Sequence, residues 1–406
     1  MTISIFKSKR IVLGVTGSIA CYKSADLASK LTQAGAKVDV VLTKAAQRFV
    51  TPLTFQSVTG RTVYTNLWDE HGHVNHVRLG ESADLLVISP ATANTLAKLA
   101  SGIADNMLTV TALTARCPVL VAPAMDGGMY ANAAVRANVQ TLTERGVTII
   151  DPKEGRMASG LIGKGRLPET AEMLGHIRRA LGRQGELAGK RLLVTAGPTQ
   201  EPFDPVRYIT NHSTGKQGVA VAQAALDMGA DVTLITGRIH QPIPFGVRHI
   251  QIQTALELHD AVLAEVGNHD VLVMAAAVGD FRPKTTAQHK IKKDPNSADA
   301  PHIELTRNPD ILKAVKTWRE QTPHPLFVVG FAAETQDILA NGRGKLLRKG
   351  LDMIAVNDVG GTQTGFGVDT NQIVLIHRDE TQQTIPLQSK ASVAEKILQQ
   401  VAQQMS

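Results

Sequence analysis

Two stretches of this chain follow one plan, and that plan limits the fold more than any other feature. RIVLGVTGSIACYKSADLASKLTQAGAKVDVVLT spans residues 10–43, and RLLVTAGPT through LDMGADVTLIT spans residues 191–236. Each reads as a buried strand, a Gly-containing loop, a helix, a Gly-Ala break and a second apolar strand ending in Thr. Apolar runs alternating with helices require parallel sheets covered on both faces. One α/β design used twice is therefore expected, rather than a short-period repeat. Further strands are expected at 84–89, 119–122 and 147–150 in the first half. In the second half they fall at 271–275, 327–330 and 353–356, the last followed by 373–377.

A chain of 406 residues allows two or three domains. RRALGRQGELAGKR, at 178–191, marks the boundary by charge and glycine, giving domains 1–187 and 188–406. Aromatics are only 4%, so aliphatic residues must build both cores. The 43 basic and 36 acidic residues leave a net +7 without a long basic run. That spread suits phosphate-handling chemistry and argues against a nucleic-acid partner. Cys21 and Cys117 are too few for a disulfide framework and read as small buried thiols in a reducing compartment. No run reaches membrane-spanning length, and MTISIFKSKR lacks an apolar signal core, so a soluble cytoplasmic protein without a membrane partner is expected.

Gly17 and Ser18, before a helix start, can hold a phosphate, with Thr43 beside them. A dinucleotide fold would place an acidic residue near that strand end; VVLTK has none, which leaves a mononucleotide. Small residues with Thr92, Asn94 and Asn106 then surround two helix starts. They can admit a flat ring, or equally serve tight helix packing. His71, His73 and His76 lack the further ligands a zinc site needs, so a catalytic or a surface histidine is the reading. After the strand at 191–195, a loop of about twenty residues reads as structureless and as carrying function. The polar segment 282–302 reads as a mobile, solvated loop.

VLGVTGSIA, NHVRLG, SPATANT, GIADN and APAMDGGMY resemble the flavin mononucleotide-dependent cysteine decarboxylases. TAGPTQEPFDPVRYITNHSTGKQG, AAAVGDFRP, KIKK, RNPDIL, GFAAET and NDV resemble the phosphopantothenoylcysteine synthetases. In this order, over nearly the whole chain, they are similar to the bifunctional coenzyme A biosynthesis proteins. The resemblance implies two α/β domains: a flavodoxin-like or Rossmann-like FMN-binding domain, then a second Rossmann-like nucleotide-binding domain. It implies that the second half joins 4′-phosphopantothenate to cysteine with CTP and Mg²⁺, through an acyl-cytidylate. The first half would then decarboxylate the product on FMN to 4′-phosphopantetheine. A homo-oligomer is implied, with FMN sites between subunits of the first domain and pairing through the second.

By the same resemblance, Gly17, Ser18, Thr43, Thr92, Asn94 and Asn106 contact FMN, and His76 is the base that starts the oxidation. Asn211 handles the acyl-cytidylate, although alone it reads as a turn residue. Lys290 is the catalytic lysine, on a loop with Lys292 that would close over the triphosphate. Ala275, Ala276, Ala277, Asp280, Lys290, Asn308, Pro309, Asp310, Ile311, Phe331, Lys345 and Lys349 match nucleotide contacts, and Asp280 can also position Mg²⁺. On residues alone, 308–311 is a helix cap, and Lys345 with Lys349 is an exposed i,i+4 face.

Two positions depart from the family pattern: Asp126 stands for Asn, and Ser159 for a lid Cys. An ionised Asp126 would repel the substrate carboxylate. Three accounts stay open. Asp126 is held protonated and replaces the missing acid; or Arg156, Lys164 or Arg166 neutralise the pair; or the domain binds FMN and stalls beside an active ligase. Retained decarboxylation is the favoured expectation. A nicotinamide oxidoreductase and a flavin-binding scaffold are the competing classes.

Overall fold

A computed structural model describes residues 4–68, 74–157, 160–292, 302–334, 338–358, 364–365 and 367–405. The chain divides into two compact units, one ending at Leu181 and the other beginning at Gly182.

In the first unit, β1 (Arg10–Val15), α1 (Cys21–Gln33), β2 (Lys37–Leu42), α2 (Pro52–Thr59) and β3 (Val63–Tyr64) lead outward from the sheet centre. The chain returns through α3 (Asn75–Ser82) to β4 (Leu85–Ala91), then α4 (Ala93–Ser101), α5 (Met107–Thr114) and β5 (Val119–Pro123). Next come α6 (Gly127–Ala131), α7 (Ala133–Glu144), β6 (Thr148–Ile149), the hairpin β7 (Lys153–Arg156) and β8 (Ile162–Arg166), and α8 (Thr170–Gly182). The strand order is β3-β2-β1-β4-β5-β6, all parallel. This is the Rossmann order rather than the flavodoxin order, and its switch point lies between β1 and β4.

Alternate residues of each strand point to opposite faces, and both faces are covered. Ile11, Leu13, Val38 and Val87 pack with Leu27, Leu31, Phe55 and Ile177 on one side. Val12, Leu86, Ile88 and Val121 pack with Leu79, Leu96, Leu108 and Leu142 on the other. Each such fully buried side chain contributes about 1.5–3 kcal/mol. That is why the strands read as unbroken apolar runs.

The second unit opens with β9 (Arg191–Ala196), the hairpin β10 (Gln200–Pro202) and β11 (Tyr208–Thr210), α9 (Lys216–Asp227), β12 (Asp231–Thr236) and β13 (Arg248–Gln251). It continues with α10 (Ala255–Glu265), β14 (Val271–Met274), the paired β15 (Phe281–Pro283) and β16 (Leu305–Arg307), α11 (Ile311–Gln321) and β17 (Phe327–Glu334). It ends with α12 (Ile338–Lys349), β18 (Met353–Asp358), β19 (Thr370–His377), β20 (Gln382–Ser389) and α13 (Lys390–Met405). The sheet order β13-β12-β9-β14-β17-β18-β19-β20 repeats the first unit's doubly wound plan and adds two strands. Those two are antiparallel to their neighbours, so the second half is a mixed sheet.

Three other readings change. The connection after β9 is not structureless: β10 and β11 pair within it. The polar segment 282–302 is bordered by the antiparallel β15 and β16. The lid sequence MASGLIGKGR contributes to the β7–β8 hairpin. His71, His73 and Ser159 lie outside the described residues. Among the described residues no helix is long and apolar enough to cross a membrane.

Candidate active sites

In the first unit, candidate ligand groups gather where β1, β2, β4 and β5 end, which is where parallel sheets expose backbone to ligands. Thr43 N donates to Val15 O at 3.1 Å, and Thr92 N donates to Thr16 Oγ1 at 3.0 Å, tying three strand ends together. Gly17 is required there: a Cβ would lie 2.5 Å from Ala45 Cβ, so only glycine lets the two loops approach. Ser18 accepts from Ala20 N at 3.3 Å while its hydroxyl proton stays available to an acceptor. These groups offer a helix start and hydroxyls, with no carboxylate at the end of β2, a set that fits a mononucleotide phosphate and not a dinucleotide ribose.

Beside them is a cavity of about 550 Å³ lined by Ser18, Ile19, Tyr22, Lys23, Met125, Asp126, Arg156, Met157 and Arg166, among others. Asp126 caps the short helix α6, its Oδ1 accepting from Gly128 N at 3.0 Å. The β7–β8 hairpin lies directly on this turn. Met125 N donates to Gly165 O at 3.1 Å, and a Cβ on Gly165 would sit 2.1 Å from Met125 O. Of the three lid cations, Arg156 and Arg166 line the cavity with Asp126. Lys164 pairs instead with Asp151 at 3.1 Å and lies over the Tyr130 ring.

The remaining expected residues do not join that cavity. His76 is the second residue of α3, half-buried, with its carbonyl accepting from Thr114 Oγ1 at 2.9 Å. Asn94 is exposed in the first turn of α4. Asn106 is a capping-box residue whose Oδ1 accepts from Leu108 N and Thr109 N at 3.1 and 3.2 Å. Its side chain therefore has a structural task whatever else it contacts.

In the second unit, a larger cavity of about 850 Å³ brings together Asn211, Ala275, Ala276, Ala277, Asp280, Asn308, Pro309, Asp310, Ile311, Phe331, Lys345 and Lys349. Asn211 Nδ2 donates to Ala277 O and Val278 O, both at 3.2 Å, and Asn308 Nδ2 donates to Gly279 O at 2.8 Å. The two amides hold three successive carbonyls of the turn after β14. Asp310 caps α11 through Lys313 N at 3.1 Å and pairs with Lys349. Burial pushes the Asp310 carboxyl up, but Lys349 and the Lys313 N–H outweigh it and hold it below the ordinary value.

Lys290 is the exception: it is exposed and does not line this cavity. Sequence reasoning also missed Lys216, Asn357, Asn371 and Lys390, which do line it. Lys216, at the first residue of α9, was legible in the GKQG helix start. Lys390, at the first residue of α13, was not, since SKASVAEKI reads as an ordinary amphipathic helix. Its Nζ donates to Gly365 O and Val368 O at 2.8 and 2.6 Å, and Lys216 Nζ pairs with Asp369 at 2.7 Å. Burial, then repulsion from Lys216, pushes the Lys390 ammonium down to about 8 against the opposing pull of Asp369. Asn357 Oδ1 is buried in this wall with no partner among the described residues, an acceptor that a donor on a bound ligand would satisfy. Among the described residues no group of three or more His, Cys, Asp or Glu could hold a metal ion.

Comparison with known proteins agrees with this two-site architecture. Residues 5–182 match the flavoprotein family, and residues 187–405 match the DNA/pantothenate metabolism flavoprotein C-terminal domain. The class is thus a flavoprotein domain followed by that second domain. The coenzyme A biosynthesis bifunctional protein CoaBC of Vibrio cholerae is 45% identical over 98% of both chains. Its Bacillus subtilis counterpart is 43% identical, again over 98% of both. A crystal structure of the C-terminal domain of a CoaBC protein is 35% identical with a TM-score of 0.46, covering 54% of this chain and 98% of that one. The chain belongs to the family of coenzyme A biosynthesis bifunctional proteins.

Proposed function

We propose that the chain carries out two consecutive steps of coenzyme A biosynthesis, CTP-dependent ligation of 4′-phosphopantothenate to cysteine and FMN-dependent decarboxylation of the product. The observation that carries the ligase half is the single cavity of about 850 Å³ in which Lys216, Lys345, Lys349 and Lys390 surround Asn211 and the turn after β14. A carboxylate is a poor acylating group until nucleotidyl transfer gives it a leaving group. The protein must then hold a triphosphate's charge and fix the reacting carbonyl, and lysines with a rigid backbone turn suit both tasks. Asn211 holds Ala277 and Val278 with its amide donors, so the acyl-cytidylate meets a fixed surface. Asp280 would offer one carboxylate to a Mg²⁺ otherwise held by the phosphates of CTP, where the ion would offset their charge.

In the first unit the Gly17–Ser18 turn, Thr43 and Thr92 hold the FMN phosphate end, and bound FMN supplies two-electron oxidation and the returning reduction. His76, near the N-terminus of α3, takes the substrate proton. Arg156 and Arg166 face the cavity with Asp126, which supports neutralisation of the Asp126 and substrate carboxylates by arginine. His76, Asn94 and Asn106 do not reach the Asp126 cavity within one chain, which supports a homo-oligomer completing each flavin site. The small substrates, and thiols left unpaired at Cys21 and Cys117, suit the cytoplasm.

The alternative, an active ligase beside a stalled flavin domain, rests on Asp126 and Ser159. One incubation separates the readings: the protein with 4′-phosphopantothenate, cysteine, CTP and Mg²⁺, its products resolved by mass. 4′-Phosphopantetheine supports both activities, and accumulated phosphopantothenoylcysteine supports the alternative. Absence of CTP-dependent pyrophosphate release removes the ligase assignment.

A further inference from the structure

Asp204 is a carboxylate on a surface hairpin whose side chain is fully buried. Its Oδ1 accepts from Val206 N and Arg207 N, both at 2.8 Å, an arrangement that closes the turn between β10 and β11. That much is ordinary turn chemistry. Oδ2 does something the turn does not need. Besides Arg207 Nε at 3.0 Å and an Arg207 terminal nitrogen at 2.6 Å, it accepts from Ile291 N at 3.2 Å. The same arginine donates to Ile291 O at 2.9 Å and stacks over the Phe203 ring. Both backbone polar groups of Ile291 are thus held by one ion pair. The amide that Asp204 holds is the one joining Lys290 to Ile291.

Two more bonds fasten the approach to this point. Thr286 Oγ1 donates to Pro202 O at 3.0 Å, and Ala287 N donates to Phe203 O at 3.0 Å. Segment 286–291 therefore lies along the hairpin, although its composition is that of a solvated loop. The hairpin's other end runs directly into Thr210 and Asn211, which line the large cavity. The Arg207 guanidinium holds the Asp204 carboxyl well below the usual carboxylate range, so the clamp stays charged at any working pH.

We infer that the Asp204–Arg207 pair is a positioning device for Lys290: it fixes the lysine's backbone against the β10–β11 hairpin, leaving only the side chain to swing toward the bound nucleotide. This rests on the reading of Lys290 as the ligase lysine. Fixing the backbone removes the conformations in which the ammonium is far from its target, and misplacement of a catalytic group by about 1 Å costs on the order of 100-fold. Asp204 is thus a positioning residue, not a catalytic one.

The test uses the full chain with Asp204→Asn, Lys290→Gln and the double variant. Pyrophosphate release is followed together with hydrogen exchange of the peptide covering 286–292. Asp204→Asn should lower kcat by about 10- to 100-fold and speed exchange in that peptide while sheet peptides stay unchanged. The double variant should lose no more than about twofold beyond Lys290→Gln, because both act through one group. Multiplied losses in the double variant would overturn the proposal, showing that Asp204 supports the fold at large. A deficient Lys290→Gln beside an Asp204→Asn of full rate would also overturn it. Full activity in Lys290→Gln would remove the underlying lysine assignment instead. If Asp204→Asn does not fold, Arg207→Lys, which keeps the charge but loses the fork that reaches Ile291 O, answers by the same exchange and kcat criteria.

Discussion

Raising the pH should stabilise the second unit, and Lys390 is the reason. Its residue is only 6% exposed, and its ordinary value of 10.5 is pushed down to about 8. Below that value the lysine is charged in both folded and unfolded chains, and the fold bears the full cost of a buried ammonium. Between about 8 and 10.5 the unfolded chain keeps a proton that the folded chain has released, so stability rises with pH through this window. The difference converts to about 3 kcal/mol, which partial solvation at the cavity reduces toward about 2. The neutral amine still has two N–H groups for Gly365 O and Val368 O, so deprotonation does not strip the strap of its donors. The assay compares wild type with Lys390→Met by urea unfolding of the full chain, read by pulsed hydrogen exchange on peptides of β9 and α13. The stability of wild type relative to the variant should climb by about 2–3 kcal/mol from about pH 7 to about pH 10.5, and saturating CTP should flatten the climb by favouring the charged form. A difference that stays level, or falls, without ligand would refute the reasoning.

Gly165→Ala forces the β7–β8 hairpin off the Asp126 turn, because the new Cβ would lie 2.1 Å from Met125 O. Decarboxylation should fall by at least about tenfold with ligation untouched, measured as separate products; equal loss of both would contradict the docking role. Lys345→Gln should raise the KM for CTP by about tenfold, the order expected for losing one charged contact, and steady-state kinetics with varied CTP checks it. If arginines neutralise Asp126, then Asp126→Asn keeps or raises decarboxylation while Arg156→Gln lowers it by about tenfold, and the opposite ordering rejects that account.

The sheets were legible because both of their faces are buried: Val12 and Leu13 point to opposite cores, so no polar residue interrupts the run. The sheet edge was not, because Ile385 alone is buried along QQTIPLQS, and a strand with one wet face and a free edge reads as polar loop. The short hairpins failed for a related reason. QEP, YIT and KEGR hold their conformation by pairing and by side chains distant in sequence, such as Asp204 gripping Ile291, and neither signal lies in local composition. Most residues expected from motifs to contact a nucleotide share one cavity, yet their side chains have local duties that motif reading cannot see. Asn308 pins Gly279, and Asp310 caps α11 while holding Lys349. Lys390 became visible only once the sheet placed α13 beside α9, where Gln217 Nε2 also donates to Lys390 O at 3.2 Å.

One strand order thus carries two differently lined cavities, and the groups gathered at the carboxyl ends of the strands make the difference. In the first unit those loops are short, contribute hydroxyls and a tight glycine turn, and stand beside Ile19, Met125 and Met157, a wall suited to a flat, largely apolar ring. In the second unit the equivalent ends receive lysines from α9, α12 and α13, four ammonium groups on three helices around one cavity. Like charges that close together oppose folding, so part of this cluster is tied down in advance: Lys349 by Asp310 and Lys216 by Asp369. Lys390 donates to Gly365 O and Val368 O, and burial first, then repulsion from Lys216, lowers its proton affinity. Four ammonium groups around one cavity favour a polyanion there by simple electrostatics, whereas a neutral ring would gain nothing from them. The same strand order therefore carries a lysine-lined cavity in one unit and a largely apolar one in the other.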